Sequence, residues 1–134
     1  MKNISIFLFV FALCFIDKAY GGHKTTLLFR NGFNHGRWLK VHCKSGDDDM
    51  GEKFLPPNSP NDYDFSFNTN VAGSTLFWCT LSKGPDYKIR KTFDAYKQES
   101  WKEHETSYHY VAKDDGIYHN TLKNFKLRKV YDWN

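Results

Sequence analysis

The chain has 134 residues and a formal net charge of +4 at pH 7, and 18% of its residues are aromatic. A charge this small does not by itself indicate nucleic acid or an acidic surface as the partner. The 12 Phe, 8 Tyr and 4 Trp, against 2 Met, favour a sheet core of rigid rings over a flexible, methionine-rich binding groove.

The first segment has the features of a secretory leader. Lys2 precedes an apolar run over residues 4–16, which is shorter than the roughly 20 residues that span a bilayer. Ala19 and Gly21 then supply small residues at the spacing that signal peptidase prefers. We therefore predict a signal peptide over residues 1–21 and a secreted domain over residues 22–134. The alternative is a short buried core segment. No second apolar stretch is long enough for an anchor, so we expect no membrane insertion.

Short β-like runs separated by Gly, Pro, Asn and Asp follow in chain order. They cover residues 25–30, 37–43, 52–55, 63–67, 75–81, 88–96, 107–113, 117–120 and 125–131. About eight strands of this length cannot bury their apolar faces in one open sheet. We therefore predict an all-β domain, an antiparallel β-sandwich. Residues 96–105 are the best candidate for a turn of helix.

Some runs also predict which face is buried. Tyr63, Phe65 and Phe67 alternate with polar residues, which predicts one aromatic and one solvated face. Residues 75–81 are nearly continuously apolar and predict a strand covered on both sides. In the last run, Phe125 and Leu127 alternate with basic residues. The run at 52–55 stops at Pro56-Pro57, which predicts an edge strand or a loop.

Cys43 and Cys79 each lie at or in an apolar run, with a polar, turn-rich segment between them. Removal of the leader removes Cys14 and leaves this even pair in an oxidising compartment, so we predict a disulfide. Two buried free thiols are the alternative. A metal site is disfavoured, because only His42 accompanies Cys43 and Cys79 has no neighbouring ligand.

Five motifs in order resemble the plant self-incompatibility family, also called S-protein homologues. They are Val41-His42-Cys43, Lys44-Ser45-Gly46-Asp47-Asp48-Asp49, Thr75-Leu76-Phe77-Trp78-Cys79, Phe93-Asp94-Ala95-Tyr96 and Asp114-Asp115-Gly116-Ile117-Tyr118. The resemblance implies a β-sandwich fold. The chain departs from the family pattern in residues 97–113, which lack two further cysteines that members commonly carry. The absent second bridge lowers the expected stability by a few kcal/mol.

Two acidic segments are candidate turns. Asp47, Asp48 and Asp49 are consecutive, whereas a calcium loop spaces its ligands at alternate positions, so we predict a β-turn with Asp side chains capping backbone donors. Asp114 and Asp115, followed by Gly116, predict a tight hairpin turn. We expect both segments to be exposed loop tips, and we predict no metal site and no cofactor.

Candidate catalytic residues are few. His35, His42 and His104 are the basis of an alternative interpretation as a small secreted hydrolase such as a ribonuclease, which needs two acid/base groups near neutral pKa. The sequence lacks the second histidine element of secreted plant ribonucleases, a Gly-x-Ser-x-Gly motif and a phosphate-binding glycine loop. We therefore predict no catalytic residues. We also predict no N-glycosylation, because Asn58-Ser59-Pro60 lacks a hydroxyl residue at the third position.

The C-terminal run is basic, with Lys123, Lys126, Arg128 and Lys129 close together. Export argues against nucleic acid as a partner, and such charge is typical of a solvated edge strand. A weak attraction to an acidic cell surface stays open.

The resemblance implies a non-enzymatic signalling ligand that meets a membrane receptor protein, as in pollen–pistil recognition. We expect a monomer. The predicted recognition loops are Lys44 with Asp47, Asp48 and Asp49, and Lys113 with Asp114 and Asp115. A defence protein acting directly on microbes is a further alternative.

Overall fold

The computed structural model describes residues 24–58, 61–69, 74–98 and 105–134. The predicted signal peptide, residues 1–21, lies outside the described residues. Nine strands form in these ranges: β1 Lys24–Asn31, β2 Leu39–Ser45, β3 Asp49–Leu55, β4 Tyr63–Asn68, β5 Leu76–Lys83, β6 Ile89–Lys97, β7 Ser107–Lys113, β8 Gly116–Thr121 and β9 Arg128–Tyr131. Across the described residues, no helical segment has the length and hydropathy needed to cross a membrane.

The strands form two sheets, in the orders β4-β1-β7-β8-β9 and β3-β2-β5-β6. All neighbouring strands pair antiparallel except β1 and β7, which are parallel. The predicted β-sandwich is confirmed, with this one parallel pair as a difference. Between β1 and β7 the chain forms all four strands of the second sheet and also β4 of the first sheet. A parallel neighbour can be reached only by a long crossover of this kind.

The core lies between the sheets and is rich in aromatic rings. Leu27, Phe29, Leu39, Val41 and Leu81 are fully buried. The prediction for the fourth strand is confirmed, because Phe65 and Phe67 pack against Phe77 of the opposite sheet with ring centroids 5.4 and 4.4 Å apart. Rings in such offset contacts contribute beyond the area that they bury.

Three details of the sequence prediction need correction. Phe125 and Leu127 precede β9, which starts only at Arg128, so the last strand is shorter than predicted. Over most of β5 the buried and partly buried residues alternate. One face of the strand therefore packs on the core, and the strand is not covered on both faces as predicted. Tyr96, the first residue of the predicted helical turn, is instead buried in β6. Residues 99–104 of that predicted turn lie outside the described ranges.

Candidate recognition surfaces

The first acidic turn, residues 45–48, connects β2 to β3. The Ser45 amide donates to the Asp48 carbonyl over 2.8 Å, and the Ser45 hydroxyl accepts from the Asp48 amide over 3.0 Å. The predicted turn is confirmed. Capping of backbone donors by Asp side chains is borne out only for Asp49, which accepts from the Gly51 amide, whereas the Ser45 hydroxyl caps the Asp48 amide. Asp47 and Asp48 are exposed, and neither carboxylate has a hydrogen-bond or ion-pair partner among the described residues.

Asp49 begins β3 and is held differently. Its Oδ1 accepts from the Gly51 amide over 2.8 Å and from His42 Nε2 over 2.6 Å. These bonds favour the charged form, so they lower the pKa of Asp49, the Gly51 bond contributing most. Gly51 has a φ of +79°, which glycine adopts without strain. Asp49 therefore stabilises the irregular start of the β2–β3 pairing, while Lys44 opposite it is exposed.

The second acidic turn, residues 114–115, connects β7 to β8 as a tight hairpin in which Lys113 pairs with Gly116. The hairpin is as predicted, and Gly116 is required there by close packing. Gly116 does not have a positive φ. A Cβ there would lie 2.6 Å from the Tyr131 carbonyl oxygen and 2.7 Å from a Lys129 side-chain carbon. The position needs glycine because β9 passes so close to β8.

Asp114 does not form an exposed tip, which corrects the prediction. The residue is half-buried, and its Oδ2 accepts from the Asn34 amide over 3.2 Å. Its carbonyl accepts from Lys83 Nζ over 3.1 Å. Asp115 is exposed as predicted, and its carboxylate accepts from the Tyr118 hydroxyl over 2.8 Å, which lowers the pKa of Asp115. Asp114 thus joins the β7–β8 turn to the β1–β2 loop and to the end of β5, and of the two carboxylates only that of Asp115 projects into solvent.

Lys83 is a buried cation that the sequence did not single out. It is 6% exposed, and its ammonium lies 4.6 Å from the Trp133 ring centroid and 5.8 Å from that of Phe33. Burial lowers the pKa of Lys83, and the nearby Arg37 lowers it further. The two rings and the Asp114 carbonyl replace the water that the ammonium loses.

The two acidic turns lie at opposite ends of the sandwich. Ser45 pairs with Phe77 near the start of β5, whereas Lys83 at the end of β5 reaches Asp114. From Phe77 to Lys83 an extended strand advances six positions, which span roughly 20 Å. The sequence prediction grouped the turns as one kind of surface, but the fold separates them, so one compact epitope cannot contain both.

The sequence analysis also did not predict a groove of about 410 Å³. It is lined by Arg37, Trp38, Gly84, Pro85, Asp86 and Tyr87. Trp38 is exposed, and Lys40 lies 5.5 Å from the Tyr87 ring centroid. Asp86 and Tyr87 have positive φ, a conformation that non-glycine residues seldom adopt. The Gly84-Pro85 pair was the one sequence signal for this irregular loop.

The histidines of the alternative ribonuclease interpretation have separate environments. His35 is exposed in the β1–β2 loop, and His42 lies on β2 with its Nε2 bonded to Asp49. His104 lies outside the described residues. Within the described ranges, no group of three or more His, Cys, Asp or Glu residues could hold a metal ion.

Cys43 and Cys79 form the predicted disulfide between the neighbouring strands β2 and β5. Both residues are fully buried. The bridge therefore links two strands within one sheet.

Comparisons with known proteins agree with this architecture. S-protein homolog 21 of Arabidopsis thaliana is 46% identical over 121 residues, which are 88% of this chain and 89% of the relative. S-protein homolog 17 of the same plant is 37% identical over 142 aligned residues, which cover 99% of this chain and 98% of the relative.

A solved structure has the same fold, with a TM-score of 0.66 at 20% identity, and covers 85% of this chain and 97% of its own. It is a self-incompatibility protein homologue, from a widespread family of small, highly stable, secreted plant proteins. Secretion and a β-rich fold, both predicted from the sequence, are properties of that family. Residues 26–133 match the family of the plant self-incompatibility protein S1. This chain therefore belongs to the plant self-incompatibility protein S1 family, as an S-protein homologue.

Proposed function

We propose that this protein is a secreted, non-enzymatic ligand that binds a receptor protein on a plant cell surface. Family membership and secretion support an extracellular role. A sandwich with a dense aromatic core and a disulfide gives a rigid body, and rigid bodies present loops to partners at low entropic cost. The separate settings of His35 and His42 give no support for the hydrolase alternative. Residues 1–21 would direct export, so sequencing of the secreted protein should give Gly22 as its first residue.

The observation that carries the proposal is the first acidic turn. Asp47 and Asp48 are exposed, and their carboxylates have no ion-pair partner among the described residues. They lie on a turn that a hydrogen bond to the Ser45 hydroxyl stabilises. A preorganised pair of carboxylates suits a basic patch on a receptor, where complementary charge speeds association and fixes orientation. Lys44 and Asp49 would flank this contact.

The second acidic turn would contribute through Lys113 and Asp115, but at the other end of the molecule. Lys113 Nζ lies 4.6 Å from the Tyr118 ring centroid, and Asp115 bonds the Tyr118 hydroxyl, so these side chains form one ordered surface. Asp114 would act there by holding the turn. A receptor that contacts both turns would have to enclose the sandwich, so we rank the first turn ahead of the second.

The test is saturable binding of the labelled, oxidised protein to membranes of plant cells. We expect the double variant Asp47→Asn and Asp48→Asn to bind about tenfold more weakly, since two charge contacts are lost. Asp94→Asn removes an exposed carboxylate from β6 and serves as the matched control. Equal affinity of all three proteins would reject the first turn as the recognition surface. Cleavage of RNA by the purified protein would favour the hydrolase alternative.

A further inference from the structure

The connection from β8 to β9, together with β9 itself, exposes an unusual amount of apolar surface. Phe125 is 82% exposed, Leu122 63% and Val130 40%. They are three of the five exposed large hydrophobic residues in the described part of the chain. Single exposed apolar residues are common, but several within nine positions mark an interaction surface.

The same segment is strongly basic. Lys123, Lys126, Arg128 and Lys129 are all exposed, and no acidic residue lies between Thr121 and Tyr131. Nearby carboxylates reduce the charge only in part. Asp132 pairs with Lys129, and Glu105 accepts from the backbone amide of Lys123. The surface therefore combines a net positive charge with apolar side chains that the domain leaves uncovered.

Hydrogen bonds hold this connection in a defined shape. The Thr121 amide donates to the Asn124 carbonyl over 2.9 Å, and the Asn124 amide donates to the Thr121 hydroxyl over 3.0 Å. The side-chain amide of Asn120 donates to the Phe125 carbonyl over 3.0 Å. Phe125 thus projects from an ordered turn, and its apolar surface is available without loss of the fold.

We propose that this basic apolar loop, residues 122–130, docks the protein on the surface of an anionic membrane. Phe125 and Leu122 enter the headgroup region, and Lys126 and Arg128 lie against lipid phosphates and carboxylates. Each Lys or Arg near such a surface strengthens binding about fivefold, and an inserted aromatic ring adds apolar burial. The contact is peripheral and requires no spanning segment.

The charge and the exposed apolar side chains together select this partner. A soluble polyanion would satisfy the cations but offers no apolar phase for Phe125. Protection of the β9 edge against wrong pairing needs only the charges, and it leaves the exposed aromatic ring without a role. A membrane interface provides both kinds of contact at once. The proposal does not depend on receptor recognition, because it uses residues 122–130 and the receptor proposal uses Asp47 and Asp48. Different variants test the two surfaces.

The test is flotation of the secreted protein with vesicles of phosphatidylcholine alone or with 30% phosphatidylserine. We expect binding only to the anionic vesicles, with affinity that falls as salt increases. Phe125→Ser should weaken it about tenfold, and the double variant Lys126→Glu and Arg128→Glu by more than 25-fold. Phe54→Ser and Lys88→Glu remove an exposed ring and an exposed cation elsewhere and should bind like wild type.

Three results would overturn the proposal. One is no binding of wild type to anionic vesicles at low salt. Another is vesicle binding that the loop variants and the control variants weaken equally. The third is binding to polygalacturonate as tight as to vesicles and unchanged by Phe125→Ser, which would identify a polyanion site. Thermal unfolding of each variant confirms that a loss of binding is not a loss of fold.

Discussion

Cys43 and Cys79 lie directly opposite each other on β2 and β5, with their Cα atoms 4.0 Å apart. The bridge links residues 36 positions apart in sequence and is buried in the sheet that also carries the first acidic turn. β2 leads directly into that turn. The disulfide therefore limits the freedom of the strand that positions Asp47 and Asp48.

The double variant Cys43→Ser and Cys79→Ser should lose about 4 kcal/mol of unfolding free energy. A loop of this length gains roughly that much chain entropy in the unfolded state when it is opened. Urea denaturation followed by Trp fluorescence measures the difference. Reduced wild type is the control and should match the variant. An unchanged midpoint would show that the unfolded chain keeps these strands together without the bridge.

Tyr110 should be a second stabilising contact, because it joins the two sheets. Its hydroxyl donates to the Ala95 carbonyl over 2.6 Å, at the irregular position of the β5–β6 pairing. Burial raises the pKa of Tyr110 far above its ordinary value, so the hydroxyl keeps its proton. Tyr110→Phe leaves the Ala95 carbonyl without this donor and should cost about 1–3 kcal/mol. Tyr118→Phe, which changes a surface hydroxyl, is the control and should cost much less than Tyr110→Phe.

Stability should also depend on pH through His119. Its ring stacks on Tyr110 with centroids 4.6 Å apart, and its Nδ1 donates to the His109 carbonyl over 3.0 Å. Burial, opposed in part by this bond, lowers the pKa of His119 below 6.5, and Arg128 and His109 lower it further. The unfolded chain therefore binds more protons, so the free energy of unfolding falls as the pH drops below about 6.5.

The variant His119→Phe keeps the ring contact but cannot be protonated. We expect its unfolding free energy to change less between pH 7 and pH 5 than that of wild type. Equal pH dependence in wild type and His119→Phe would show that another group controls acid stability.

Much of the fold could be predicted because it depends on local patterns. The alternation of Tyr63, Phe65 and Phe67 identified β4 and its buried face, and Cys43 and Cys79 identified neighbouring strands. The parallel β1–β7 pairing could not be predicted, because no local signal joins strands about 80 residues apart.

The site was predicted only in part, for the same reason. The composition of each acidic segment predicted a turn but not the ends of the sandwich at which the turns lie. Asp114 is half-buried because Lys83 and Asn34 come to it from distant parts of the chain. Phe125 matched the alternation of a strand, yet it precedes β9 and is exposed, since composition alone does not set where pairing begins.

Asp114 and Asp115 should therefore respond differently to the same substitution. Asp114→Ala removes the acceptor of the Asn34 amide and a carboxylate near the buried Lys83 ammonium, and should cost about 1 kcal/mol. Asp115→Ala affects an exposed bond to Tyr118 and should cost less than Asp114→Ala. Chemical denaturation of both variants measures this. If Asp114→Ala were as stable as Asp115→Ala, the contacts of Asp114 would add nothing to the fold, and its carboxylate would be free to serve recognition alone.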